Sequence, residues 1–519
     1  MIRSFLTVSS GTLASRLLGF ARDSMIAALL GAGPVADAFL VAFQLVNVVR
    51  RLLTEGALNA ALVPAWLRIR EAEGAKAAAA FAGHVLGTVS AALVAATALI
   101  GLLMPLVISA LAPGFTGTAT LQLAVDDARL MLPYLAFAGP VTVMMALLNA
   151  QGRFALTAFS PLLFNVALIA IMAVLLGWRQ DTAHAALIMA ATVGVAGLLQ
   201  LLILLLRRGG GGAMPLRVAF DPPMRGFFGQ AIPGMIASSG PQLLVVAGAV
   251  IASSSPSSVS WLYFANRLIE LPLGLVGVAM GTVLVPELTR GVQGDDRGAM
   301  ARAESRGLEL AVGLALPATL GLIALSEPIV RMLFQHGAFT SADTAATAQA
   351  LMWLALGLPA HVLVKALSPA FFAREDTLTP LLATAKGLAV AIVLAVVLGR
   401  IFGASGIAAG IALGAWSSAF GLIRRGAAIS GFSIDAAARR RLPRIAAAAL
   451  AMGGLLWLTA ALALPLAANA HGLAQVALLA VLISAAVAIY GLFLALFGVA
   501  SWAEAVSAVR QTAPRDLRG

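Results

Sequence analysis

The chain has 519 residues, of which 61% are hydrophobic and 11% are charged, and its mean hydropathy is +0.98. A soluble protein of this length could not bury that much apolar surface, so the composition excludes a soluble globular fold. We attribute the net charge of +12 to basic loops on the cytoplasmic side of a membrane and not to nucleic-acid binding. Because there is no cysteine, disulfides, thiol catalysis and cysteine-ligated metals are also excluded.

Apolar runs of roughly 20 residues recur along nearly the whole chain. They predict an all-α polytopic membrane protein with 14 transmembrane helices. The predicted spans lie near 5–32, 35–54, 80–111, 121–149, 155–177, 183–206, 224–252, 257–285, 304–325, 342–369, 377–401, 404–423, 444–467 and 472–500. Because the number is even, both termini are predicted on one side of the membrane.

Most of the 34 Lys and Arg residues fall in segments on the same side as the N-terminus. The positive-inside rule therefore predicts that both termini are cytoplasmic. Two of these segments are a flexible, Gly-rich basic linker at 207–223 and a basic connector at 424–443.

Two short internal matches recur at nearly the same spacing and predict a repeat. Residues 57–68 align with 279–290, and 160–163 align with 379–382. Each repeat holds six spans, so the halves have the same orientation, and such proteins place their substrate path between the lobes. The predicted domains are an N-terminal lobe at 1–206, the linker at 207–223, a C-terminal lobe at 224–423, the connector at 424–443, a final helix pair at 444–500 and a cytoplasmic tail at 501–519.

The first span contains charges where lipid-facing helices have none. Arg16 and Asp23 are seven residues apart and share a helix face, and so do Ser15 and Arg22. A charge at the bilayer centre costs about 2.5–3.5 kcal/mol, so these side chains are predicted to face a cavity. The alternative is a buried structural ion pair, although one Asp cannot neutralise two arginines.

Two further spans add charges, and the total is positive. The second span carries Asp37, Arg50, Arg51 and Glu55, and the eighth carries Asn266, Arg267 and Glu270. Arg50 and Arg51 could instead be ordinary cytoplasmic anchors. Intramembrane arginines from two lobes indicate an anionic ligand, for which bidentate Arg–phosphate contact is the best fit.

Other features bear on chemistry less directly. Lys386 is interpreted either as snorkelling to the interface or as a fixed charge of the second lobe. Residues 327–339 are predicted to form an interfacial helix on the outer side. The five histidines have no metal-ligand spacing, and no nucleotide-binding loop or catalytic triad pattern is found. We therefore predict a transporter with no catalytic residues, metal or cofactor.

The charged segments resemble a known family. The stretches "SRLLGFARDSMIAALLGAGPVADAF" at 15–39, "NVVRRLLTEGALNAALVP" at 47–64 and "YFANRLIELPLGLVGVAMGTVLVPELTR" at 263–290 resemble the MurJ (MviN) lipid II flippases of the multidrug/oligosaccharidyl-lipid/polysaccharide exporter superfamily. The resemblance implies a bacterial inner-membrane protein of peptidoglycan synthesis, and hence of cell-wall biogenesis and cell shape. Its cargo would be lipid II, the undecaprenyl-diphosphate-linked precursor, moved to the periplasmic leaflet by alternating access.

The resemblance also implies residue roles. It assigns cargo binding to Arg16, Arg22 and Arg267, supporting charges to Asp23, Asp37, Arg50, Arg51, Glu55 and Glu270, and a groove for the polyprenyl tail to 444–500. The chain departs from the family at Asn266, where an acid is common. Spans 7, 11 and 12 contain no Asp or Glu, so we expect no sodium site there. Coupling to the membrane potential is expected, and the coupling ion is left open.

Three alternatives remain open at this point. The chain could export a different polyprenyl-diphosphate-linked glycan, since that handle is shared. It could export drugs, although a cavity for cations would need acids where this sequence has arginines. A membrane transferase would need acidic metal-binding motifs, which are not found. The predicted partners are lipid II and the phospholipid bilayer, with no nucleic acid.

Overall fold

The structure is a computed structural model that describes residues 2–54, 57–178, 181–206, 216–219, 221–237, 240–279, 297–372, 376–429, 435–466 and 472–499. The described residues form α-helices joined by short connections, which confirms the predicted all-α class. In chain order the helices are α1 Ile2–Leu30, α2 Pro34–Thr54, α3 Ala57–Glu73, α4 Ala75–Leu102, α5 Met104–Leu111, α6 Ala119–Met131, α7 Pro133–Ala150, α8 Phe154–Trp178, α9 Thr182–Leu206, α10 Pro222–Ala237, α11 Gly240–Ala252, α12 Ser258–Ala279, α13 Arg297–Ala324, α14 Ser326–Phe334, α15 Ser341–Phe372, α16 Leu378–Ile429, α17 Ala436–Leu466 and α18 Leu473–Leu496.

Within the described residues, nine stretches are long and apolar enough to cross a membrane. The total of fourteen spans therefore stays a prediction. Two predicted spans, 80–111 and 121–149, are each divided into two helices, at Leu103 and Leu132. Pro105 and Pro133 lie in the first turn of the second helix in each case, where a missing backbone N–H is tolerated.

The chain divides by contacts into two compact units, which we describe separately. The first comprises Met1–Trp261 and Phe334–Asp343, and the second comprises Leu262–Leu333 and Thr344–Gly519. The predicted lobes at 1–206 and 224–423 were defined by sequence repeats and not by contacts, so they stay a prediction.

In the first unit, α1 packs along α8, α2 packs along α6, and α7 packs between α4 and α9. A chain of rings fills the space where α2, α7 and α8 meet. Phe43 stacks on Phe39 and on Phe164, and Phe164 meets Tyr134 edge to face. These contacts join α2 to α7 and α8, and α8 also packs along α1, the helix that carries Arg16 and Arg22.

The described end of the predicted flexible linker is fixed to α4. The backbone N–H of Ala219 donates to Thr88 Oγ1 at 3.1 Å, and His84 Nδ1 lies 3.2 Å from Asp221 Oδ2. The linker backbone passes so close to Gly87 that a Cβ there would lie 2.6 Å from a carbonyl oxygen. Residues 216–219 and Asp221 are therefore anchored to α4 just before the start of α10.

In the second unit, α13 packs on α17 and α17 packs on α18. The Tyr490 hydroxyl of α18 donates to the Gly313 carbonyl at 2.8 Å, which ties α18 to α13. The helix α16 is two arms joined at Gly403, whose φ of 57° interrupts the helical backbone. The arms correspond to the predicted spans 377–401 and 404–423, and they pack antiparallel through close glycine contacts.

Candidate functional site

Arg22 lies in a closed environment in the first unit, with only 7% of its surface exposed, and Asp23 is fully buried. Arg22 Nε and Nη2 both donate to Asp23 Oδ1, at 2.9 Å and 2.6 Å. The guanidinium carbon lies 5.0 Å from the ring centroid of Phe43 and 5.9 Å from that of Phe164. The cation is therefore compensated by a carboxylate at its edge and by two aromatic rings.

The third contact of Arg22 comes from α8. Arg22 Nη1 donates to Asn165 Oδ1 at 3.0 Å, and Asn165 Nδ2 donates to the backbone carbonyl of Ser15 at 3.2 Å. For Arg22 the structure thus has the alternative considered from the sequence, a buried ion pair with Asp23, and Ser15 takes part through its main chain. Sequence analysis assigned no role to Asn165, Phe43 or Phe164.

Arg16 differs from Arg22 in that its side chain is exposed, on the same face of α1 as the exposed Leu13 and Leu17. Within the described part of the chain, the ion-pair partner of Asp23 is Arg22. Arg16, which was predicted to share a helix face with Asp23, does not pair with it among these residues. Arg16 therefore contributes a positive charge on the open side of α1.

Asp37 is buried at the start of α2 and caps a distant helix. Its Oδ1 accepts hydrogen bonds from the Ser260 backbone N–H at 2.9 Å and from Ser260 Oγ at 2.5 Å. Ser260 lies in the first turn of α12, where backbone N–H groups lack helical partners and favour a carboxylate. The predicted cavity charge Asp37 is thus engaged in joining α2 to the start of α12.

The remaining predicted charges of α2 lie at its other end. Arg50 Nη2 donates to Asn47 Oδ1 at 3.3 Å, and both Arg50 and Arg51 are half-buried. Glu55, the predicted partner of Arg51, lies outside the described residues.

In the second unit, α12 presents the other predicted set. Arg267 Nη1 donates to Glu270 Oε2 at 2.8 Å, one turn further along the helix. Both side chains are partly exposed, at 21% and 30%, and Asn266 is exposed beside them. The pair is therefore partly covered, with 21% of the Arg267 side chain exposed.

Lys386 is exposed on the first arm of α16. Across the described residues, no group of three or more His, Asp or Glu side chains could hold a metal ion. Each unit therefore offers permanent cations: an exposed Arg16 and a buried Arg22 in the first, and a partly exposed Arg267 in the second. Such groups bind carboxylate or phosphate.

The fold is shared with solved transporters. It matches a structure titled "Lipid II flippase MurJ, inward closed conformation" with a TM-score of 0.77, at 23% identity, over 95% of this chain and 98% of that one. It also matches an inward-facing multidrug resistance MATE family transporter of the MOP superfamily with a TM-score of 0.67, at 15% identity, over 80% of this chain and 95% of that one. These likenesses define the class as a multi-pass helical protein with a transporter fold.

Sequence comparison identifies the family within that class. The family described as "Lipid II flippase MurJ" matches residues 26–471. A probable lipid II flippase MurJ of Rhizobium meliloti is 36% identical over 99% of this chain and 96% of its own length. The lipid II flippase MurJ of Burkholderia cenocepacia is 34% identical over 73% of this chain and 75% of its own. The chain belongs to the MurJ lipid II flippase family, as the resemblance predicted.

Proposed function

We propose that this protein moves lipid II from the cytoplasmic to the periplasmic leaflet of the bacterial inner membrane by alternating access between two lobes. The observation that carries the proposal is the presence of permanent cations on α1 and α12 of a chain in the MurJ family. A diphosphate needs such groups, because moving it through the bilayer without compensation would carry the full penalty of a buried anion.

Arg16 and Arg267 are the proposed first contacts of the diphosphate. Arg16 is exposed and Arg267 is partly exposed, and both lie on helices whose other exposed side chains are largely apolar. An arginine binds phosphate through two parallel N–H groups, which gives direction as well as attraction. Arg22 adds positive charge from its buried position, and it becomes a direct ligand only by exchanging a bond to Asp23 or Asn165 for one to phosphate.

The proposed orientation places both termini in the cytoplasm, with the polyprenyl tail in lipid along α17 and α18. Large apolar side chains are exposed on both helices, including Trp457 and Val481. Cargo binding would neutralise the arginines, and the membrane potential acts on any charge that crosses it, at about 2.3 kcal/mol per charge per 100 mV. The coupling ion stays open, and Lys386 is a proposed fixed charge of the second lobe.

The rival functions share part of this chemistry. A flippase for another polyprenyl-diphosphate-linked glycan would use the same arginines and differ in its headgroup contacts. A drug exporter for cations would need exposed acids, but Asp23 and Asp37 are buried and engaged.

The test is lipid II transport in reconstituted vesicles. Fluorescent lipid II is placed in one leaflet, and its arrival in the other is followed with a membrane-impermeant quencher. We expect Arg16→Ala and Arg267→Ala to abolish transport while inserting normally. The matched control is Arg331→Ala, since Arg331 is an exposed arginine of α14 paired with Glu327. Full transport by Arg16→Ala and Arg267→Ala would overturn the proposed arginine site.

A further inference from the structure

Asn165 has a buried side-chain amide whose oxygen and nitrogen both hydrogen-bond to the same helix, α1. It lies on α8 with 6% of its surface exposed. The oxygen accepts from Arg22 and the nitrogen donates to the Ser15 carbonyl, so both partners belong to α1. Ser15 and Arg22 are seven residues apart, about two helical turns, and therefore lie on the same face. A single side chain of α8 thus fixes two points of that face.

The bridge does more than a packing residue would do. A leucine of similar size would fill the same space on an apolar helix without a polar group to satisfy. Hydrogen bonds between membrane helices stabilise by only about 0.6 kcal/mol on average, so stability gives little reason for an amide here. What the amide adds is a fixed orientation of the Arg22 guanidinium. Asn165 accepts from Nη1, while Asp23 accepts from Nε and Nη2.

Two aromatic rings further restrict the position of the Arg22 guanidinium. Phe164, the neighbour of Asn165 on α8, lies near the guanidinium, and Phe43 of α2 lies closer still. Hydrogen bonds fix the guanidinium along its edge, and the two rings confine its position. Arg22 then remains on Asp23, and the charge of Arg16 is left uncompensated by that carboxylate.

We propose that Asn165 is a positioning residue of the cargo site: it holds Arg22 on Asp23, so that Arg16 is available for an anionic group. The inference rests on the proposed function, because it assigns Asn165 a part in the same arginine site. Without the bridge, Arg22 is released toward the open side of α1, and Asp23 can pair with either arginine. The orientation that a diphosphate requires is then lost, although the helices still pack.

The experiment compares two buried amides. Asn165→Leu removes the bridge, and Gln200→Leu is the matched control. Gln200 of α9 is also buried and also joins helices: it donates to the Ser160 carbonyl at 2.9 Å and accepts from the Tyr134 hydroxyl at 3.4 Å, and neither partner is Arg22. Each variant is measured for the KM and the maximal rate of lipid II transport in vesicles, and for its thermal unfolding midpoint.

We expect Asn165→Leu to raise KM about tenfold, the effect of losing one hydrogen bond to a charged group. Gln200→Leu should leave KM unchanged. A purely structural role predicts instead that both variants lower the unfolding midpoint and the active fraction at constant KM. An unchanged KM in Asn165→Leu would therefore overturn the proposal. Asn165→Ala removes the same two bonds and serves if the leucine variant does not insert.

A second readout does not depend on transport. Phenylglyoxal modifies accessible arginines, and mass spectrometry locates the modified sites. We expect phenylglyoxal to modify Arg16 in the protein without substitutions. We expect it to modify Arg22 only in the Asn165→Leu and Asn165→Ala variants. Continued protection of Arg22 in both variants would overturn the positioning role. Full transport by Arg16→Ala would instead refute the arginine site of the proposed function, while the reactivity of Arg22 would still report on its positioning.

Discussion

Gly410 offers a test of the packing between the two arms of α16. Gly406, Gly410 and Gly414 are spaced four residues apart, as in membrane helix pairs whose backbones touch. A Cβ added at Gly410 would lie 2.4 Å from the backbone nitrogen of Ala395 and 2.6 Å from its Cα. The atoms in the way are backbone, so no side chain can rotate to make room.

The size of the effect follows from that distance. Ordinary contact for a Cβ begins near 3.4 Å, so Gly410→Ala forces the arms about 1 Å apart. Overpacking of this kind costs about 1–3 kcal/mol, and the gain in helix propensity of about 1 kcal/mol offsets only part of it. We expect Gly410→Ala to be less stable than the unmodified sequence by about 1–2 kcal/mol.

The measurement is the free energy of unfolding in detergent micelles, from denaturant titration. Gly454→Ala of α17 is the matched control, because a Cβ there has no atom of the structure within 4 Å. It should be neutral or slightly stabilising, since alanine is the better helix former. Equal shifts in the two alanine variants would refute the close packing of the arms.

Two further predictions concern capping carboxylates. Asp37→Ala leaves the Ser260 N–H and hydroxyl without their acceptor, and we expect a loss of about 1.5–3 kcal/mol in unfolding free energy. Ser260→Ala keeps the N–H bond and should lose less; an equal loss would contradict the two-bond geometry. Asp376 caps α16 by accepting from the Thr379 N–H at 2.9 Å, and this bond lowers the pKa of the Asp376 carboxyl. Because the folded pKa lies below the unfolded one, the stabilisation is present above about pH 4 and is lost as the pH falls through the folded value. Asp376→Asn should therefore weaken the acid sensitivity of thermal unfolding, and an unaltered pH profile would count against the cap.

The charge pattern of the first span was readable from the sequence because helix geometry is local. Seven-residue spacing indicated that Ser15 and Arg22 share a face, and Asn165 contacts both, but it did not indicate that Arg16 is exposed while Asp23 is buried. Asn165 lies 143 residues from Arg22, and Ser260 lies 223 residues from Asp37. A polar residue in the otherwise apolar span at 155–177 was the available signal for Asn165.

The helix boundaries show the same division between local and tertiary causes. The break at Gly403 fell between two predicted spans, since glycine tolerates the positive φ of a tight turn. The breaks at Leu103 and Leu132 were missed, because hydropathy alone does not register a proline in the first turn of a new helix. The anchoring of residues 216–219 and Asp221 was also missed, since the neighbouring glycine-rich sequence suggested only flexibility.

The central claim, that Arg16 and Arg267 bind a diphosphate, is tested most directly by competition. Undecaprenyl diphosphate and the neutral undecaprenol are compared as inhibitors of lipid II transport by the unsubstituted protein. The same comparison is made for Arg16→Ala and Arg267→Ala wherever a residual transport rate can be measured. Binding of labelled undecaprenyl diphosphate to the same proteins in detergent gives the matching affinities. The account predicts that the diphosphate inhibits and binds the unmodified protein, that undecaprenol does not compete, and that both variants lose binding. Equal binding of the diphosphate by the unmodified protein and by both variants would contradict it.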